Sequence, residues 1–158
     1  MSYFGKVHER ILRTFIAYDV EFILMGGHAV VYYGVRRTTS DIDIPVRPNI
    51  ENGIRILKAF KSLKLETDGI QASDFTEDQV FTFGLEPDAV DILTFSKGVS
   101  VEEIFRNASQ TRIDDLSLKI IDIRDLLKNK ENLQRTSEKG LVDQQDILAL
   151  RRILKSRQ

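Results

Sequence analysis

Two aspartates separated by one isoleucine, Asp41 and Asp43, follow a glycine pair, Gly26 and Gly27, after thirteen intervening residues. Adjacent carboxylates repel unless a cation or a basic partner neutralises them. Their oxygens suit a hard divalent ion, and Mg²⁺ characteristically takes one or two carboxylates together with substrate phosphates. The glycines offer the opposite half of such a site. Glycine lets the backbone turn sharply and approach a ligand closely, and the free amides at a helix start attract phosphate. A third acid, Asp91, stands inside the apolar run Ala89-Val90-Asp91-Ile92-Leu93, where a charge is costly to bury unless it is paired or bound to a metal. Arg37 and Thr39, just before Asp41, present a guanidinium and a hydroxyl that can hold phosphate oxygens.

These residues need elements to carry them. Phe22-Ile23-Leu24-Met25 reads as a strand over about 21 to 25, the glycines as a tight turn, and His28 to Tyr33 as a short helix stopped by Gly34. Asp41 to Val46 reads as the next strand, with Asp41 and Asp43 on one face and Ile42 and Ile44 on the other. An amphipathic helix over about 5 to 18 precedes this unit, with Val7, Ile11, Leu12, Phe15 and Ile16 as its apolar stripe. A second helix follows over about 50 to 64, with Ile50, Ile54, Leu57, Phe60 and Leu63 on one face. Residues 80 to 85 and 89 to 95 alternate like two strands joined by Glu86-Pro87-Asp88, an antiparallel hairpin. Ser100 to Glu103 forms a capping box, Arg112-Ile113 and Leu118 to Ile121 could be short strands, and Asp122 caps a helix to about 133. Gln134 to Gly140 reads as a mobile polar loop, and Asp143 as the start of the last helix.

The chain has 158 residues, long enough to bury a core without staples. It reads as a single domain over 1–158, with a catalytic sheet core over 1–99 and a mainly helical part over 100–158. Cysteine is absent, which excludes disulfides and thiolate metal sites, and only two histidines, His8 and His28, are present. No signal peptide and no membrane span of about 20 apolar residues is visible, so the cytoplasm is the expected compartment and no membrane is expected as a partner. A net charge of −1 gives no global pull toward nucleic acid.

The pattern Met25-Gly26-Gly27 followed by Asp41-Ile42-Asp43-Ile44 resembles the signature of the DNA polymerase beta-type nucleotidyltransferases, with the gap at the long end of that family's range. Within it, Arg37-Thr38-Thr39-Ser40-Asp41-Ile42-Asp43 is similar to the AbiEii-type and other minimal nucleotidyltransferases. So are Asp125-Leu126-Leu127-Lys128-Asn129-Lys130 and the helix Asp143 to Leu150, although Val142 stands where that family commonly has lysine. The resemblance implies an α+β (α/β-like) nucleotidyltransferase fold: a small mixed, mostly antiparallel sheet flanked by helices, with C-terminal helices. It implies transfer of a nucleoside monophosphate from a nucleoside triphosphate such as ATP to an acceptor hydroxyl, with release of pyrophosphate. Two Mg²⁺ ions, with Mn²⁺ as a substitute, would be held by Asp41, Asp43 and Asp91, which are also the catalytic residues. Gly26, Gly27, Arg37, Thr39 and Lys130 would bind the nucleotide, with Asp146 next in line.

The acceptor stays open between a tRNA end, a protein and a small molecule, and a toxin–antitoxin partner is a further expectation from the resemblance. Two other readings stand beside transfer. One is a catalytically silent nucleotide- or partner-binding module of the same fold, an antitoxin or sensor. The other is a structural α/β protein whose Asp-x-Asp is incidental.

Overall fold

Helix α1, Lys6–Ala17, buries His8, Ile11, Leu12 and Phe15. Val7, expected on that stripe, is exposed. The chain then reverses at Asp19, in the left-handed region at φ 55°, and runs inward as an extended segment. The computed structural model describes residues 2–157.

The segment expected as the first strand is extended but makes isolated bridges only. Phe22 and Met25 pair antiparallel with Val46 and Asp43, and Leu24 pairs parallel with Ile120. The Ile23 amide donates to the Pro45 carbonyl at 2.9 Å and the Leu24 amide to the Lys119 carbonyl at 2.9 Å. Successive residues thus bond to opposite neighbours, and no regular ladder forms on either side. Ile23, Leu24 and Met25 are nevertheless buried, so the segment is the apolar seam of the molecule.

Helix α2, Gly26–Tyr32, begins at the first glycine rather than at His28. Gly34 follows with φ 108°, the left-handed residue expected at the helix end. Strand β1, Ile42–Pro45, is followed by helix α3, Ile50–Ser62, whose N-cap Asn49 accepts from the Asn52 amide. The buried face of α3 is Asn52, Gly53, Ile56, Ala59 and Phe60; of the expected stripe Phe60 and Leu63 are buried, whereas Ile50 and Ile54 are exposed. Two residues that hydrophobic periodicity does not weigh set this face. The Asn52 side chain accepts from the Glu21 amide and donates to the Glu21 and Arg47 carbonyls. Gly53 lets the 3₁₀ turn Ala72–Thr76 lie against the helix, where any Cβ would press on the Ala72 carbonyl and the Phe75 ring.

Strands β2, Val80–Phe83, and β3, Val90–Leu93, form the predicted antiparallel hairpin. β1 pairs parallel with β3, which gives a three-stranded sheet in the order β1-β3-β2. Helix α4, Val101–Asn107, opens on Ser100, whose hydroxyl accepts from the Glu103 amide. Strands β4, Ser109–Ile113, and β5, Leu116–Ile120, make a second, antiparallel pair joined to the first sheet through the seam at Leu24. One face of the three-stranded sheet, Ile42, Ile44, Val90 and Ile92, is buried. The other carries Asp43 and Asp91.

Helix α5, Ile123–Glu131, and helix α6, Glu138–Ser156, pack on each other. α6 starts one and a half turns before the predicted Asp143, because Ser137 caps it by accepting from the Lys139 amide. The last three residues of the expected mobile loop, Glu138, Lys139 and Gly140, are therefore helix start. The inward stripe of α6 is Gly140, Asp143, Asp146, Ile147 and Leu150. Its first half is polar, so apolar periodicity could register only the second.

Candidate active site

The register of the sheet sets the geometry. Asp43 of β1 lies directly opposite Asp91 of β3, so both carboxylates leave the same face. Burial, and then the charge of Asp91, pushes the Asp43 carboxyl up to about 6, while Lys130 and Arg135 pull it back down. Asp91 is held on its far side by Thr82, whose hydroxyl donates to Oδ1 at 2.7 Å.

Asp41 is placed differently from the expectation. β1 begins at Ile42, so Asp41 stands in a bend just before the strand, with the burial alternation of Asp41, Ile42, Asp43 and Ile44 continuing through it. Its carboxyl is raised by burial and then by the neighbouring Glu86, and its Oδ1 has no hydrogen-bond partner. Asp41 nevertheless lines the same cleft of about 510 Å³ as Asp43 and Asp91.

The glycines fit against this wall. Gly26 has φ 66°, and a Cβ there would run into the Asp43 carboxylate. A Cβ on Gly27 would collide with the Thr39 hydroxyl and crowd the Arg37 guanidinium. Gly27, Arg37 and Thr39 line the cleft, whereas Gly26 lies behind Asp43 and is not part of its lining. His28, next in α2, donates from Nε2 to the Ser40 carbonyl at 3.2 Å, and burial holds its imidazole down to about 4. It is neutral at pH 7 and braces the loop before Asp41.

The opposite wall comes from α5, α6 and the loop between them. Lys130 is 5 % exposed, and its Nζ lies 3.1 Å from both Asp143 and Asp146. Arg37 reaches Asp146 with Nε–Oδ1 at 2.8 Å and a second guanidinium nitrogen at 2.9 Å. Arg135 donates from Nε to Asp143 Oδ2 at 2.7 Å. Burial raises the Asp143 carboxyl, but Arg135 and Lys130 outweigh it and hold it below its ordinary value. Three cations share two acids, which leaves one net positive charge facing Asp43 and Asp91. Lys130 and Asp146 were predicted near the nucleotide, and both are now packed within this network, with Lys130 alone among the two at the cleft lining.

Arg135 and Glu138 carry no site expectation from the sequence, and Glu86 reads there only as a turn residue. Arg135 and Glu138 fall in the stretch taken as a polar loop, yet Ser137-Glu138 is an N-cap followed by an acid. Starting α6 there puts Gly140, Asp143 and Asp146 on one face at i, i+3 and i+6. Lys139 of the cleft lining meets Glu86 at 3.3 Å, and Glu86 in turn lies near Asp41.

Among the described residues, no three acidic or histidine side chains converge to enclose an ion by themselves. The donor set still fits a hard divalent cation. Burial and then the Asp91 charge raise Asp43, Asp41 has a buried oxygen without a partner, and Mg²⁺ completes its shell with substrate oxygens and water. Asp43 and Asp91 would be the protein ligands, with Asp41 beside them.

No protein-family model matches the chain, and no curated protein matches it by sequence. Solved structures do. The lincosamide antibiotic adenylyltransferase LnuA, bound to lincomycin, aligns over 95 % of this chain and 98 % of its own with a TM-score of 0.58 at 17 % identity. The chain has the nucleotidyltransferase fold. The antibiotic-resistance factor ANT(2'')-Ia matches this fold over 96 % of the chain and 90 % of its own, with a TM-score of 0.54 at 12 % identity. A Thermotoga maritima protein named as a candidate nucleotidyltransferase covers 96 % and 92 %, with a TM-score of 0.55 at 12 % identity. The nucleotidyltransferase fold here is a mixed α+β arrangement, with a parallel β1–β3 pair inside an otherwise antiparallel set of strands. No helix among the described residues is long and apolar enough to cross a membrane.

Proposed function

We propose that the chain transfers a nucleoside monophosphate from a nucleoside triphosphate to an acceptor hydroxyl, with Mg²⁺ as cofactor and release of pyrophosphate. The observation that carries this reading is the in-register Asp43–Asp91 pair facing Arg37, Lys130 and Arg135 across one cleft. Acid on one wall and base on the other is what a metal-bound polyphosphate needs.

A bound divalent cation would supply Lewis-acid stabilisation of the phosphate and ease deprotonation of the acceptor hydroxyl. Asp43 and Asp91 would hold that cation, and Asp91 would also receive the acceptor's proton. Gly27 and Thr39 place the phosphates at the first turn of α2, where amides lack helical partners. Arg135 and Arg37 stabilise the charge that grows on pyrophosphate as the acceptor oxygen bonds to the α-phosphorus and the α–β bridge breaks. Lys130 lies beneath them and keeps Asp143 and Asp146 oriented.

A small hydroxyl-bearing molecule is the acceptor class most consistent with this cleft. LnuA is named for a lincosamide acceptor and aligns with this chain almost end to end, so the same architecture suffices for a small substrate. The direct test is incubation with each labelled nucleoside triphosphate and Mg²⁺, with candidate small alcohols or a lysate as acceptor. Label transfer with stoichiometric pyrophosphate, abolished by Asp43→Ala, supports the proposal. Nucleotide binding with no transfer to any acceptor favours the silent binding module.

A further inference from the structure

Three side chains stand in one row across the sheet. Thr82 is opposite Asp91 in the antiparallel pair, and Asp91 is opposite Asp43 in the parallel pair. Directly opposed residues share a face, so Thr82, Asp91 and Asp43 all project toward the cleft side. The intervening residues Phe81, Ile92 and Ile44 form the row beneath, on the core side. Asp91 therefore has a like charge on one flank and a hydroxyl on the other. That hydroxyl donates to Oδ1 at 2.7 Å.

We propose that Thr82 is a positioning residue. By fixing Asp91 Oδ1, it sets the carboxylate plane and leaves Oδ2 to work with Asp43 on a divalent cation. The inference rests on the metal-dependent transfer reading. It adds a residue from β2, a strand that otherwise contributes no side chain to the site. A merely structural Thr–Asp cross-strand pair steadies the hairpin and leaves metal affinity untouched. Partners that orient a metal-binding side chain instead govern affinity, typically by about 10–100-fold.

Thr82→Val separates the two. It keeps the β-branched shape at an exposed strand position and removes only the hydroxyl. Three readouts are compared in wild type, Thr82→Val and Thr82→Ser: Mn²⁺ affinity by spin-resonance titration with a non-hydrolysable triphosphate present, kcat and KM, and melting temperature. The expected result for Thr82→Val is a Mn²⁺ affinity about tenfold weaker, a matching loss in kcat with KM little changed, and a melting temperature within about 3 °C of wild type. Thr82→Ser restores the affinity. Thr82→Val with wild-type Mn²⁺ affinity, or a serine variant as weak as the valine one, overturns the role of Thr82 while leaving transfer intact. A wild-type protein that binds no Mn²⁺ overturns both readings.

Discussion

Arg37 and Asp146 form a two-pronged ion pair that ties the loop before β1 to the middle of α6, 109 residues further along the chain. Asp146 is fully buried and also lies 3.1 Å from the Lys130 ammonium, so one carboxylate is shared between two cations. Removing one partner of a buried pair strands the other charge, at about 3–5 kcal/mol. Asp146→Ala is therefore expected to lower stability by roughly that amount in urea unfolding. A loss below about 1 kcal/mol would show that water replaces the carboxylate freely.

The Asp43 carboxyl gives a pH test with a definite sign. Its value in the fold, about 6, lies above the ordinary 3.8, so the folded state holds the proton more tightly. The stability this contributes is present at pH below 3.8 and is lost as pH rises through 6. Asp43→Asn should match wild type near pH 4 and exceed it above pH 6.5 by about 1–2 kcal/mol, or roughly 3–6 °C in melting temperature. Adding Mg²⁺ should raise the melting point of wild type and leave the asparagine variant unchanged. Scanning calorimetry at the two pH values, with and without Mg²⁺, reads all four cases.

Gly140 controls Arg135 through the backbone. A Cβ on Gly140 would overlap the Arg135 carbonyl, so an alanine must push the loop, and its guanidinium, away from α6. Gly140→Ala should weaken nucleotide binding about as much as Arg135→Ala, in the range of tenfold for one charge-assisted contact. The double variant should add little to either single one, since both remove the same contact. Additive losses, measured by calorimetric titration of a triphosphate analogue, would separate the two residues.

Two glycines with positive φ should behave unlike one another. Gly26 and Gly34 share the strained backbone region, but only Gly26 has a side chain, that of Asp43, in the way of a Cβ. Gly34→Ala should cost about 1 kcal/mol and keep activity. Gly26→Ala should cost more than twice that and abolish transfer, because the carboxylate must move. Unfolding and turnover on the same two preparations check it.

The acidic wall was legible in the sequence because it rests on local rules. Asp43 and Asp91 each interrupt an apolar strand, and a strand residue's face follows from its register. The basic wall was legible only in part. Arg37 and Lys130 stood in recognisable patterns, but Arg135 sits in a polar stretch whose placement depends on Gly140 letting the loop lie on α6. The first half of the α3 face, Ile50 and Ile54, departs from periodicity for a similar reason, since Asn52 is buried through three hydrogen bonds to the backbone at Glu21 and Arg47. Hydrophobic periodicity is blind to a buried polar anchor. Asp41 lines the cleft with Asp43 as its spacing implies, but its neighbour Glu86 comes from the hairpin turn, which strand alternation does not place.

The measurement closest to the central claim is calorimetric titration of wild type and Asp43→Ala with a non-hydrolysable nucleoside triphosphate, each with Mg²⁺ and with EDTA. Acid and basic walls that jointly hold a metal-bound triphosphate predict tight binding to wild type with Mg²⁺. They predict a loss of at least tenfold in EDTA, and an Asp43→Ala protein that no longer responds to the metal. Equal affinity in all four titrations, or no binding to wild type with Mg²⁺, would contradict it.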